Sequence, residues 1–284
     1  ETTLVPLEAK LQYIELLVAA GLREIEATSF VSPRAIPQLA DADLLLPRLP
    51  VTEGVRYPVL VPNTRGMERA EAAGARALAV FTAASDAFTE RNIGMTVAAS
   101  LEAFGPVLSR ATDLGWWRRG YVSTAFGCPY TGAVSPDRAV EVALRLLDLG
   151  VDEVCFGDTI GVAVPGQVAA LTGAAVAAGV PLERIAFHFH DTRGTALANV
   201  AAGLDAGVRC FDSAAGGTGG CPYAPGAAGN LATEDLVYML DRMGIETGVD
   251  LRRLVDASAI IAPYLDHPLP GRYLQACASG RAPA

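Results

Sequence analysis

The sequence predicts an α/β fold of the TIM (β/α)8 barrel type, and three observations predict it. Strand-like and helix-like segments alternate along the 284 residues. Repeated βα units imply a parallel sheet with helices outside it. Several helical stretches end in a glycine followed by an apolar residue, at Gly21, Gly74, Gly150, Gly179 and Gly207. Glycine there supplies the left-handed cap that turns a helix into the next strand. Finally, polar residues suited to chemistry end many strands, and no GxGxxG follows an early strand, which argues against an open doubly wound sheet.

The elements follow in order. Candidate strands are Glu24–Phe30, Tyr57–Val61, Ala77–Ala83, Arg119–Ala125, Glu153–Asp158, Ile185–His190 and Arg209–Ala214. Between them lie Ala/Leu-rich stretches of helical period: Leu7–Ala20, Gly66–Ala73, Val97–Leu114, Pro136–Leu149, Pro165–Ala178 and Ala196–Ala206. Thr233–Met243 reads as the eighth barrel helix and Leu251–Tyr264 as an extra one. A closed barrel needs eight strands and the chain offers seven, so the first is expected upstream of Glu1. No linker or low-complexity tract divides the chain. The expectation is one catalytic barrel over 1–284, with 245–284 as a helical extension.

Composition narrows the function. Hydrophobic residues make up 51%, ample for a sizeable core. The net charge of -9 argues against a nucleic-acid or anionic-membrane partner. Five widely spaced cysteines without a CxxC fit a reducing cytosol better than a disulfide scaffold, so a cytoplasmic, bacterial location is expected. No purely apolar run is long enough to span a membrane.

The sharpest chemical signal is His188-Phe189-His190-Asp191. Residues i and i+2 of a strand face one side, so two imidazoles point into one space about 6–7 Å apart along the strand. That suits two ligands of one metal; the alternative is a hydrogen-bonded pair of core histidines. Phe187 and Phe189 then face the helix layer. Oxygen ligands would favour Mg2+ or Mn2+. Glu26 and Asp158, at other strand ends, are candidate oxygen donors, or else a satisfied inward carboxylate or a helix cap. Asn230 could lend its amide oxygen or cap the eighth helix. The run Gly216–Gly226 follows the last strand, and its glycine density suits a lid that closes over substrate, with Cys221 as a proton donor or acceptor riding on it. The other four cysteines read as small hydrophobes or bystanders. Arg119 opens its strand, where a structural ion pair is the plainer role. Trp116 and Trp117 are assigned to packing, and His267 to an exposed tail.

Five motifs together resemble those of the hydroxymethylglutaryl-CoA lyase family, in order and spacing. They are Ile25-Glu26-Ala27-Thr28-Ser29-Phe30-Val31-Ser32-Pro33, Gly157-Asp158-Thr159-Ile160-Gly161, His188-Phe189-His190-Asp191-Thr192, Gly219-Gly220-Cys221-Pro222-Tyr223-Ala224 and Gly229-Asn230-Leu231-Ala232-Thr233-Glu234-Asp235. The resemblance implies a metal-dependent carbon–carbon lyase acting on an acyl-CoA. It implies His188, His190 and Asn230 as metal ligands, with Mg2+ or Mn2+ as the ion. It assigns Cys221, His188, Glu26 and Asp158 to catalysis, and Ser29, Arg119, Gly219 and Gly220 to substrate. A homodimer is expected on the resemblance alone. The family's first strand carries an Arg-Asp pair, which the chain from Glu1 onward does not contain. The alternatives are a condensing synthase of the same superfamily and a noncatalytic barrel.

Overall fold

The computed structural model describes residues 1–219 and 229–279. Its strands are β1 (Thr28–Ser29), β2 (Val59–Leu60), β3 (Ala77–Ala83), β4 (Trp117–Ser123), β5 (Gly127–Cys128), β6 (Gly132–Ala133), β7 (Glu153–Asp158), β8 (Ile185–Phe189) and β9 (Cys210–Asp212). β5 and β6 form a small antiparallel hairpin. The other seven form one parallel sheet whose neighbours follow chain order, β1-β2-β3-β4-β7-β8-β9. Each lies in or overlaps an expected segment. β1 is shorter than its pattern, because Glu24 meets Arg56 only through an isolated bridge. β4 begins at Trp117, opposite Ala77, so Trp117 belongs to the strand that it was expected to precede.

The sheet curls into a barrel that is not fully closed. On the central strand, the Arg119 guanidinium lies 3.5 Å from Glu24, beside β1, and 2.7 Å from Asp212 on β9. One side chain thus touches both ends of the sheet across the concave interior. β1 and β9 are not paired with each other among the described residues.

Helices α1 (Leu7–Ala19), α2 (Ala42–Leu45), α3 (Thr64–Ala72), α4 (Asp86–Ile93), α5 (Val97–Asp113), α6 (Pro136–Asp148), α7 (Pro165–Ala177), α8 (Ala196–Asp205), α9 (Thr233–Arg242), α10 (Leu251–Ile261) and α11 (Arg272–Ala278) surround it. The short α2, α4 and α11 and the β5–β6 hairpin were not expected. Local signals for α4 exist: Asp86 in its first turn and a left-handed Gly94 at its end. Eight residues, however, give too short a window for periodicity to register. The five expected cap glycines all have positive φ, from 84° to 105°.

The apolar core lies between sheet and helices. Phe156, Phe187 and Phe189 are essentially inaccessible. Phe187 and Phe189 stack at 5.3 Å, and Phe126 packs on both. Trp116 is buried, while Trp117 is partly open, with the Arg56 guanidinium 4.2 Å above its ring. No helix among the described residues is long and apolar enough to cross a membrane.

Candidate active site

The two faces of β8 carry opposite chemistry. The alternation that buries Phe187 and Phe189 turns His188 and His190 to the concave side. Their Nε2 atoms stand 3.2 Å apart. His190 is buried and its Nδ1 has no hydrogen-bond partner among the described residues. Asn230 is set against His190 by an antiparallel bridge, with Asp191 N donating to the Gly229 carbonyl and Leu231 N to the Phe189 carbonyl. The Asn230 Nδ2 donates to the Thr218 carbonyl at 2.9 Å, which orients the amide with its oxygen as the atom left to ligate.

These residues fit a divalent ion. Two nitrogens bound at right angles with bonds of roughly 2.1 Å stand about 3.0 Å apart, close to the Nε2 separation. Among the described residues, no carboxylate, thiol or third histidine joins the pair as a ligand cluster; the exposed group of Glu1, Asp266 and His267 is elsewhere. Among the described residues the donor set is therefore nitrogen plus amide oxygen.

Beneath the pair lies a polar network centred on Arg119. Its Nε donates to Glu153 at 2.6 Å, and Nη1 donates to Asp212 at 2.7 Å and to the Tyr121 hydroxyl at 3.0 Å. Nη2 lies 3.2 Å from Cys210 Sγ. Tyr121 in turn donates to Glu26 at 3.0 Å, and Asp212 Oδ2 lies 3.3 Å from His188 Nδ1. Cys155 Sγ is 3.5 Å from the same oxygen. Cys155 and Cys210, expected as small hydrophobes or bystanders, thus face the polar interior, since strand alternation puts them beside Glu153 and Asp212.

The charges in this network shift one another. Burial works to raise the Asp212 pKa, but the Arg119 charge and the His188 hydrogen bond outweigh it and hold the carboxyl well below the usual range. Burial lowers the His188 pKa, yet Asp212 overcomes it and the net shift is upward. His190 has no such partner; burial and then the neighbouring His188 press it down to about 3. Glu26 sits deep in the concave face, though water still reaches its side chain. The protein crowded around it, and then the charge of Asp212, push its pKa up.

Asp158 shares the outer face of β7 with Phe156, is buried, and accepts from Val162 N at 2.8 Å and Ala163 N at 3.0 Å. Its carboxylate orders the loop after β7. Ser29 is buried and accepts from Val31 N at 3.4 Å. Gly219 has a φ of +87°, and its N–H donates to Glu1 at 2.7 Å. A Cβ on Gly229 would lie 1.7 Å from the Gly219 carbonyl, so only glycine allows this approach. Gly220 and Cys221 lie outside the described residues. Asp212 and Tyr121 were missed. The available signal was a polar residue on the inward parity of a strand, as in Cys210-Phe211-Asp212.

Comparison with known proteins places this arrangement. The family model described as HMGL-like matches residues 2–261. The hydroxymethylglutaryl-CoA lyase of Pseudomonas mevalonii is 49% identical over 257 residues, 90% of this chain and 85% of that protein. A crystal structure of hydroxymethylglutaryl-CoA lyase from Pseudomonas aeruginosa superposes with a TM-score of 0.95 at 44% identity, covering 99% of this chain and 93% of that one. A structure named as an HMG-CoA lyase from Acinetobacter baumannii in complex with coenzyme A and 3-methylmalate superposes with a TM-score of 0.92 at 37% identity, covering 99% and 90%.

Proposed function

The chain belongs to the HMGL-like family, and from that premise we propose that it cleaves 3-hydroxy-3-methylglutaryl-CoA to acetoacetate and acetyl-CoA. The observation that carries the reading is the convergence of His188, His190 and Asn230 at the C-terminal end of β8, the end where barrels of this kind place their sites. Relatives that cover nearly the whole chain and bear the lyase name support it.

The reaction is a retro-Claisen cleavage. The hydroxyl on C3 loses its proton, the C2–C3 bond breaks, and C3–O becomes the ketone of acetoacetate. The bonding pair passes to C2 as the acetyl-CoA enolate, which then takes a proton. His188, His190 and Asn230 would hold the ion, read as Mg2+ or Mn2+. When bound it supplies Lewis acidity and a template for the substrate oxygens. Glu26, oriented by Tyr121, is the proton-handling group. His188, assigned to catalysis, acts as a ligand, since Asp212 takes its Nδ1 and the ion would take its Nε2. Asp158 shapes the rim through its loop. Cys221 is assigned the protonation of the enolate. Residence in the bacterial cytoplasm and a homodimeric state go with the family reading; light scattering on the purified protein distinguishes a dimer from a monomer.

The test is turnover of 3-hydroxy-3-methylglutaryl-CoA with Mg2+ or Mn2+, before and after chelation. Release of acetoacetate that stops on chelation and returns with the ion is the expected result. In the same assay, Cys221→Ala keeps metal binding and loses most turnover; near-normal turnover would remove the thiol from the mechanism. Condensation of acetyl-CoA with a 2-oxo acid, without cleavage, would overturn the reaction in favour of a synthase.

A further inference from the structure

We infer that Asp212 is a positioning residue that commits His188 to presenting Nε2, and not Nδ1, to the divalent ion, with Arg119 holding Asp212 in place. The inference rests on the metal-dependent reading above and adds to it two residues that never touch the ion.

The register of the sheet creates the pair. β8 and β9 run parallel with His188 directly opposite Asp212, so both side chains stand on the concave face. His188 Nδ1 lies 3.3 Å from Asp212 Oδ2, while its Nε2 faces the His190 Nε2 at 3.2 Å. An ionised carboxylate can only accept. The ring nitrogen against it therefore carries the proton, and the Nε2 lone pair is free for a metal. Outer-shell carboxylates fix metal-binding imidazoles in this way generally.

Asp212 is itself held. Its Oδ1 accepts from Arg119 Nη1 at 2.7 Å, and its Oδ2 also faces the Cys155 thiol. Arg119 is held in turn by Glu153 and Tyr121. Turning the carboxylate away from His188 would break a charge-assisted bond inside the barrel. His190 provides the contrast, since its Nδ1 is buried and unpartnered among the described residues. Of the two imidazoles, the network sets the tautomer of one. The competing role for the same geometry is a plain ion pair between Arg119 and Asp212, with His188 a bystander.

Two measurements on the purified protein separate these roles. Long-range proton–nitrogen NMR of the metal-free chain reads the histidine tautomers, and there are three histidines to assign. His188 is expected with its proton on Nδ1. Mn2+ titration followed by electron paramagnetic resonance is expected to show affinity falling by roughly 10–100-fold in Asp212→Asn, together with loss of the pure Nδ1–H form. Cys210→Ala disturbs the Arg119 contact at 3.2 Å without reaching His188, and is expected to leave Mn2+ affinity unchanged. Unchanged affinity in Asp212→Asn, an equal loss in Cys210→Ala, or a wild-type His188 protonated on Nε2 would each overturn the inference. Should Asp212→Asn fail to fold, the wild-type tautomer decides alone. Mn2+ binding needs no substrate, so wild-type protein that binds the ion with His188 in the expected form but cleaves nothing sinks the proposed reaction and leaves the role of Asp212 standing.

Discussion

Single residues in this protein are set by what faces them more than by their own identity. Two acids make the point. Asp212 lies against Arg119 and stays strongly ionised despite its burial. Glu234 is fully buried on α9, accepts from Gly216 N at 3.0 and 2.9 Å and from the Ser258 hydroxyl, and still has a raised pKa because burial outweighs those bonds. A raised folded pKa means that the folded state binds the proton more tightly than the unfolded chain. The resulting stabilisation is fully present below the ordinary glutamate pKa of about 4.3 and is lost as pH rises through the folded value. Glu234→Gln removes this titration. Its melting temperature relative to wild type is therefore expected to rise as pH goes from about 4 to about 7. A difference between the two proteins that stays constant over that range would show that Glu234 titrates alike folded and unfolded.

Elements meet where glycine lets them. The chain leaves α1 through Gly21 at φ +105°, and a Cβ there would lie 2.2 Å from the Gly248 carbonyl, just before α10. The same corner is tied by Asp250 N donating to the Ala20 carbonyl at 2.7 Å and by Arg253 donating to the Ala19 carbonyl at 3.1 Å. Gly21→Ala combines an unfavourable φ with a backbone collision. It is expected to cost more than about 1 kcal/mol, measured by denaturant unfolding, without change in Mn2+ affinity. Gly54→Ala is the control: φ is +74° but a Cβ would meet nothing within 4 Å. Equal losses at both positions would show that φ alone matters and that the α1–α10 contact contributes nothing.

Across the whole molecule, Arg119 joins parts of the barrel that are remote in sequence. It reaches Glu24 beside β1, Glu153 on β7 and Asp212 on β9 from its own place on β4. It is 5% exposed, and the Glu153 and Asp212 side chains are only 14% and 16% exposed, so little water can replace it beside those two. Arg119→Met keeps much of the volume and leaves those carboxylates uncompensated. Losing one partner of a buried ionic group typically costs about 3–5 kcal/mol, and a drop of that order in unfolding free energy is expected. A loss below about 1 kcal/mol, as for a surface pair, would mean that the interior is wetter than the burial of this guanidinium implies. Four side chains occupy the Arg119 donors, in keeping with the structural ion pair that its place in the strand suggested.

The sequence by itself determined the order of the elements, the parity that sends Phe187 and Phe189 one way and His188 and His190 the other, and the glycines that end the helices. Those features depend on local rules of period and backbone freedom, which act within a few residues and are written in consecutive letters. It also carried the five motifs that identify the family. Only the tertiary structure decided that Asp212 stands opposite His188, that Asp158 orders its own loop, that Cys155 and Cys210 face charge and not oil, and that one arginine serves both ends of the sheet. Strand register and barrel curvature fix those pairings across separations such as the 93 residues between Arg119 and Asp212, and no local pattern in the chain specifies which distant side chain will arrive.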